Sequence, residues 1–430
     1  MTTAQGGYLP VHRWVKHVLG STHTTVVVTV AWAVLCLLVA QRVTSAALAR
    51  ALPAEHAGSG RSCLRRVRRW WRGPALNQAT ISPALIRLAL TLLVAPQPVV
   101  VALDTTRLGP WDVWLAGIVV AGRTLPIGWA VIPSPWPKGR FRATTLRLIQ
   151  QLQQAFLAGV RWTLVADRGF PSAALFAQLR QGGTAFSVRL RLSDWVTVDR
   201  VYAPVSAHLV AGRLVVGQRT AATMGRGTVE QPLVPAAIVV SAVVVTPPHH
   251  KQNPGTARER AHRAQQHTQH RKHKQGRKTT PPSAVAQRYA QTWVLFTTAL
   301  TVAQAVAEYA GRMSIEETYR DWHHHWAVRA AAVNLPTEAM VARLIGIVCL
   351  AYTVQMHLGQ RVSTDPVAQR RRAQWTVTDR VSWFWCGHQL FADPGYDWTD
   401  WLAQQWESLG WPVITTPAIA APETTLAEAA

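Results

Sequence analysis

The chain has 430 residues and a formal net charge of +24, with a sequence pI of about 11.3 and nearly half of its residues apolar. That excess of cations implies a polyanionic partner, nucleic acid or an anionic membrane surface, and the length implies two or three structural units. Cys36, Cys63, Cys349 and Cys386 lie far apart with no C-x-x-C spacing, which excludes a cysteine zinc site and a disulfide framework and predicts reduced thiols in a cytoplasmic, nucleoid-associated protein.

Residues 1–75 read as an N-terminal helical DNA-binding domain. Residues 11–19 form a short helix candidate, and Thr24–Ala40 runs seventeen residues without a charge. A membrane span needs about 20 apolar residues, and Gln41-Arg42 follows where a signal peptide would have small, cleavable residues. No second such segment is read, so this one is predicted to be a buried helix and no membrane partner is expected. Residues 43–52 form a third helix with Ser45 as its N-cap. Pro53 and Gly58-Ser59-Gly60 break the pattern. Residues 61–73 then hold six arginines, Trp70 and Trp71, and no acid. Arg65, Arg66, Arg68 and Arg69 suit contact with DNA phosphate. An amphipathic helix packing Leu64, Val67 and Trp71 on a core is compatible with that reading, and a membrane-surface helix shares the pattern.

Residues 98–104 form a buried-strand run that ends on Asp104. Strand candidates at 113–120 and 125–132 follow, with Gly122-Arg123 as a tight turn between them. Residues 144–159 have helical periodicity. Residues 162–170 form another strand running into Asp167, with Gly169 and Pro171 supplying a turn. A helix at 172–183 and a strand at 185–191 complete a mixed α/β pattern over 98–200. Short strand-like runs at 213–218 and 236–245 lie in a stretch spanning 201–284. Within it, residues 249–278 carry nine Lys or Arg, six His and one Glu, the composition of a disordered loop that either solubilises the chain or binds nucleic acid. A buried strand at 293–300 opens a second core segment, 285–360, with an apolar helical stretch at 335–359. Residues 361–430 form a Trp-rich unit and a disordered tail from about Pro412, with no chemistry assigned.

The decisive stretch is 309–323. Tyr309, Arg312, Glu316 and His323 stand at steps of three, four and seven, which return to one face of an α-helix. An ordinary ion pair between Arg312 and Glu316 is the plain reading. Asp104 and Asp167 are equally open to a plain reading as turn residues. Taken together, three carboxylates from separate elements suit a pair of divalent metals that stabilises the attacking and leaving oxygens of phosphodiester cleavage, with Mg²⁺, or Mn²⁺, as the oxygen-preferring ion.

Three motifs carry a resemblance: D-T-T at Asp104, A-D-R-G-F around Asp167, and the run from Tyr309 continuing as I-E-E-x-Y-R-D. In this order they resemble a DDE transposase of a bacterial insertion sequence, in the group marked by Y-x(2)-R-x(3)-E-x(6)-K. The resemblance implies an RNase H-like mixed sheet flanked by helices, interrupted by a strand-rich insertion that residues 201–284 would supply. It implies that Asp104, Asp167 and Glu316 hold the metals and cut DNA, and that the freed 3′-OH attacks target DNA. Tyr309, Arg312, Arg168, Arg320 and His323 would then contact the phosphates of double-stranded transposon ends, in a homodimer that brings two ends together. One departure stands out: His323 occupies the position of the group's final Lys, and neutral imidazole is a weaker phosphate clamp. The rival readings are a nuclease of the same fold that does not join strands, a non-catalytic DNA-binding remnant, and an inner-membrane protein.

Overall fold

The structure is a computed structural model that describes residues 3–20, 23–53, 59–73, 76–93, 99–242, 292–375, 382–393 and 396–398. The basic run at 249–278 and the tail from Pro412 lie outside the described residues. The fold is mixed α/β with an N-terminal helical region. The chain divides into two compact units, one of Met1–Arg161 with Gly311–Ala430 and one of Trp162–Ala310.

The first unit begins with α1 (Thr3–Leu19), α2 (Thr24–Ala40), α3 (Ser45–Arg50), α4 (Gly60–Trp71) and α5 (Gln78–Thr91). Helix α2 is apolar on every side, so it has no face suited to water and buries Val30, Ala31, Ala33 and each residue from Val34 to Leu38. The ring of Tyr8 from α1 stacks on Trp32 of α2, 4.0 Å between centroids. The N-cap of α3 is Thr44 rather than Ser45. Thr44 has the extended backbone a cap requires, and its hydroxyl accepts from the Ala47 N–H, whereas Ser45 is already helical. Helix α5 lies in a stretch for which the sequence analysis gives no element, and it carries Pro83 in its interior, a residue that ordinarily marks a break. Asn77 caps it by accepting from the Ala79 N–H.

Strands β1 (Val99–Leu108), β2 (Trp111–Val120) and β3 (Arg123–Pro133) form an antiparallel meander. β1 runs four residues beyond Asp104, so this carboxylate stands inside a strand, opposite Leu115, and not at a strand end. The β2–β3 turn is Ala121-Gly122, both at positive φ, as a two-residue hairpin of this twist requires; Arg123 already opens β3. A register shift at Ala116/Gly117 brings Gly117 against the Leu125 carbonyl, where a Cβ would sit 2.4 Å from the oxygen. Helix α6 (Arg140–Ala155) follows and buries Leu148, Ile149 and Leu152.

The second unit carries β4 (Trp162–Ala166), α7 (Ala173–Gln181), β5 (Ala185–Arg189), β6 (Trp195–Val198), β7 (Val201–Pro204), α8 (Val205–Val210), β8 (Arg219–Met224), β9 (Val234–Ala242), β10 (Thr292–Thr297) and α9 (Val302–Ala310). Its strand order is β4-β5-β10-β9-β8-β6-β7. β4 and β5 are parallel, joined by the α7 crossover that parallel pairing needs; the other pairs are antiparallel. Phe176, Phe186 and Phe296 pack ring to ring in its core. The run at 213–218 makes only a bridge from Val216 to Val240, and the strand falls next to it at β8.

The chain then returns to the first unit with α10 (Met313–Arg320), a π-turn at Asp321–His325, α11 (Val328–Ala332), α12 (Glu338–Gln360), α13 (Pro366–Arg372) and α14 (Trp383–Ala392). Against the expectation of a single long apolar segment at 24–40, the stretch Glu338–Ser363 is long and apolar enough to cross a membrane by length and composition; 83% of its apolar window is buried within the structure. Trp129 donates its indole N–H to the Ala342 carbonyl at 3.0 Å, and a Cβ on Gly346 would sit 2.8 Å from the Trp129 ring. α12 is therefore tied to the meander by close backbone approach.

Candidate active site

The first unit gathers Asp104, Arg312 and Glu316. Arg312 is the N-cap residue of α10, and its side chain is only 9% exposed. Its Nη1 donates to Asp104 Oδ2 at 3.0 Å and its Nη2 to Glu316 Oε1 at 2.5 Å. The other Asp104 oxygen accepts from the Thr105 N–H at 2.8 Å. The Tyr319 hydroxyl donates to the Asp104 carbonyl at 3.0 Å. Burial, reinforced by the Asp104 charge, pushes that phenol well above its ordinary range, so Tyr319 acts as a fixed donor.

One turn further on, Asp321 is buried against Arg123, whose Nε donates to its Oδ2 at 2.8 Å, and against the Tyr352 hydroxyl at 2.9 Å. Burial raises the Asp321 pKa, and Arg123 opposes the rise. This triad locks β3 to the π-turn that carries His323. The Nε2 of His323 lies 3.2 Å from Thr106 Oγ1. Its Nδ1 is buried with no hydrogen-bond partner among the described residues. Burial lowers its pKa, with Arg329 and His324 adding to the effect, so the ring is neutral near pH 7. Arg320 faces outward and pairs with Glu317 at 2.6 Å.

The second unit holds Asp167 and Tyr309. Asp167 directly follows β4, where the sequence placed it, and its Oδ1 accepts from the Tyr309 hydroxyl at 3.3 Å. Tyr309 is buried edge-on against Trp293, 4.7 Å between ring centroids. Arg168 is exposed, and its carbonyl accepts from Arg191 Nε at 2.6 Å, which holds the turn after Asp167.

The single helical face expected over 309–323 is broken twice. α9 ends at Ala310 and α10 starts at Met313, so Tyr309 and Arg312 belong to different helices and to different units. Gly311, a weak helix former, stands at the break. Past Glu316 the π-turn adds a residue to the turn, closed by the Trp326 N–H on the Asp321 carbonyl, and rotates His323 off the α10 register.

On α4, Arg65, Arg66, Arg68 and Arg69 are exposed, while Cys63, Val67, Trp70 and Trp71 are buried. The C-terminal turn of this helix is fixed by buried Arg343, whose Nε donates to the Trp70 carbonyl at 2.6 Å. Sequence reasoning missed Arg343, the Arg123–Asp321–Tyr352 triad and Glu308. Glu308 is the only acid in α9; it is buried and accepts from Ser187 Oγ at 2.7 Å and Gln304 Nε2 at 2.9 Å. A lone acid among apolar residues was the available signal.

Oxygen donors suit Mg²⁺ chemically. The arrangement does not: the counter-charge of Asp104 and Glu316 is the Arg312 guanidinium, and no group of three His, Cys, Asp or Glu able to hold a metal occurs among the described residues. These residues as placed do not fit a divalent ion.

No curated protein matches the sequence significantly. A family model, described as the Transposase DDE domain, matches residues 140–354, half of the chain. The match includes Asp167, Arg312 and Glu316, and Asp104 lies before it. The chain therefore belongs to the Transposase DDE domain family.

Proposed function

We propose that this protein is an insertion-sequence transposase that binds double-stranded transposon ends, cuts them and joins them to target DNA. The observation that carries the reading is the Asp104–Arg312–Glu316 constellation: two of the three acids picked from separate motifs meet on one guanidinium. The family match and the mixed α/β fold support it, and the RNase H-like identity of the core is part of the proposal. In this reading Asp104, Asp167 and Glu316 are the catalytic carboxylates, and the ion that the family resemblance implies, Mg²⁺ or Mn²⁺, would be held only once Arg312 releases Asp104 and Glu316. Tyr309, Arg312, Arg168, Arg320 and His323 serve the end phosphates, while the exposed arginines of α4 serve the duplex beyond. A homodimer would pair two ends, and the compartment is the cytoplasm.

A second reading, a DNA-binding remnant without catalysis, has one observation in its favour. At the position of the group's final Lys, His323 is neutral and bonded to Thr106. One experiment separates the two. The wild type and the variants Asp104→Asn, Asp167→Asn and Glu316→Gln are assayed for Mg²⁺-dependent nicking of DNA bearing the element's ends, and for binding to the same DNA. Transposase activity requires that the wild type nicks and that each variant binds but does not nick. Binding without nicking by the wild type selects the remnant.

A further inference from the structure

A cavity of about 640 Å³ lies in the first unit, and no acidic residue lines it among the described residues. The α4 helix contributes Arg68, Trp71 and Arg72 to its wall. Arg68 and Arg72 are four residues apart, so both guanidinium groups stand on one side of the helix, and both are exposed. Thr44, Ser45 and Asn334 add polar groups to the lining. The Thr44 hydroxyl accepts from the Ala47 N–H, which leaves its proton to donate. Asn334 uses one amide N–H on the Ala330 carbonyl, which leaves a second N–H and the Oδ1.

We infer that this cavity is a binding site for a single nucleoside 5′-phosphate. Two cations, with no acid among the described lining residues, favour an anion, and Arg prefers the bidentate geometry of phosphate. The volume lies within the roughly 300–1,000 Å³ of small-molecule sites, which takes one nucleotide and excludes a duplex. Trp71 lends an apolar wall for a ring, and the amide and hydroxyls give a base or sugar its hydrogen bonds. The site is held in shape by the first unit itself. Arg343, buried beneath the end of α4, bonds the Trp70 carbonyl, and a Cβ on Gly73 would approach its guanidinium to 2.7 Å. The nucleotide can come from the 5′-phosphorylated end of a DNA strand or from a free mononucleotide. The strand end rests on the transposase reading, and the free nucleotide does not.

The test is fluorescence anisotropy with a 3′-labelled trinucleotide carrying either a 5′-phosphate or a 5′-OH, with dTMP and inorganic phosphate as competitors and a labelled duplex measured alongside. The variants are Arg72→Gln, a change at an exposed position, and Ala330→Trp, which fills the cavity. The site predicts a preference of at least 10-fold for the 5′-phosphorylated trinucleotide, lost in both variants; the loss in Arg72→Gln alone suffices if Ala330→Trp does not fold. Displacement by dTMP at concentrations comparable to the trinucleotide identifies the free nucleotide as the source, and a trinucleotide held far more tightly than dTMP identifies the strand end. A wild type that binds duplex but shows no 5′-phosphate preference overturns this inference alone. A wild type that takes dTMP but binds no DNA keeps the site and overturns the transposase reading. Equal displacement by inorganic phosphate and dTMP overturns the nucleoside assignment, and so does a preference that persists in Arg72→Gln.

Discussion

Arg312 is the hinge of the candidate site, and a double-mutant cycle measures what it holds. The Arg312 side chain is 9% exposed, Asp104 19% and Glu316 45%. Removing one partner of a fully buried pair costs about 3–5 kcal/mol. Asp104 is one-fifth exposed and keeps the Thr105 N–H, which brings the cost of Arg312→Met at this arm to about 2 kcal/mol. The Glu316 arm is half in solvent and is worth about 0.5 kcal/mol. The assay is equilibrium urea denaturation of the wild type, Arg312→Met, Asp104→Asn and the double variant, with a second cycle built on Glu316→Gln. The coupling of Arg312 to Asp104 is expected at about 2 kcal/mol and to Glu316 at about 0.5 kcal/mol. Asp104→Asn should therefore recover much of the stability that Arg312→Met loses. A negligible coupling to Asp104, or a larger one to Glu316, refutes the view that Arg312 is anchored on β1.

His357 gives a pH dependence. Burial lowers its pKa to about 4, against an ordinary value of 6.5. The stability it protects is present above pH 6.5 and is lost as the pH falls toward 4, because the unfolded chain takes up the proton first. Since the residue keeps some exposure, the loss is expected at about 2 kcal/mol; denaturation at pH 7, 5.5 and 4.5 should show it in the wild type and much less in His357→Gln. Gly73→Ala drives a Cβ into buried Arg343 and should destabilise by about 1–3 kcal/mol; a penalty unchanged in the Arg343→Met background would rule out this clash as its cause. Ser187→Ala removes one of the donors to Glu308 and should cost the second unit about 1–3 kcal/mol. Amide exchange across β5 and β10 reads that loss, and unaltered protection there would mean Glu308 is satisfied by other means.

The parts of the site legible in the sequence are those fixed by local rules. Asp167 was placed because a short run of buried residues, WTLVA, must end where D-R-G turns the chain. The face of α4 was placed because its apolar and arginine positions repeat at helical spacing. Long-range pairing hid the rest. β1 continues past Asp104 through Thr105 and Thr106 because Trp114 and Val113 stand opposite them on β2, a fact absent from the local run. The break at Gly311 was equally hidden, since one glycine costs a helix only about 1 kcal/mol and does not by itself decide. Tertiary contacts decide it: Tyr309 is packed on Trp293 and Arg312 is held by Asp104, each in its own unit.

The charge balance becomes clearer once the acids are followed to their partners. The chain has 21 acidic residues against 45 Lys and Arg. Around the 309–323 stretch the acids are taken up internally: Asp104 and Glu316 by Arg312, Asp321 by Arg123 and Tyr352, Glu317 by Arg320, and Glu308 by Ser187 and Gln304. Acids engaged in this way order the site and contribute little negative potential outward. The arginines of α4 are exposed, and the helix itself carries no acid. A polyanion meets a positive face there, and the salt dependence of its binding should follow those arginines. Replacing Arg65, Arg66, Arg68 and Arg69 together with Ala should lower the slope of log affinity against log salt by about 3 to 4, since each phosphate contact contributes about 0.9. A slope that does not change would place the DNA on some other surface, and α4 would then be only a packing helix with a solvated outer face.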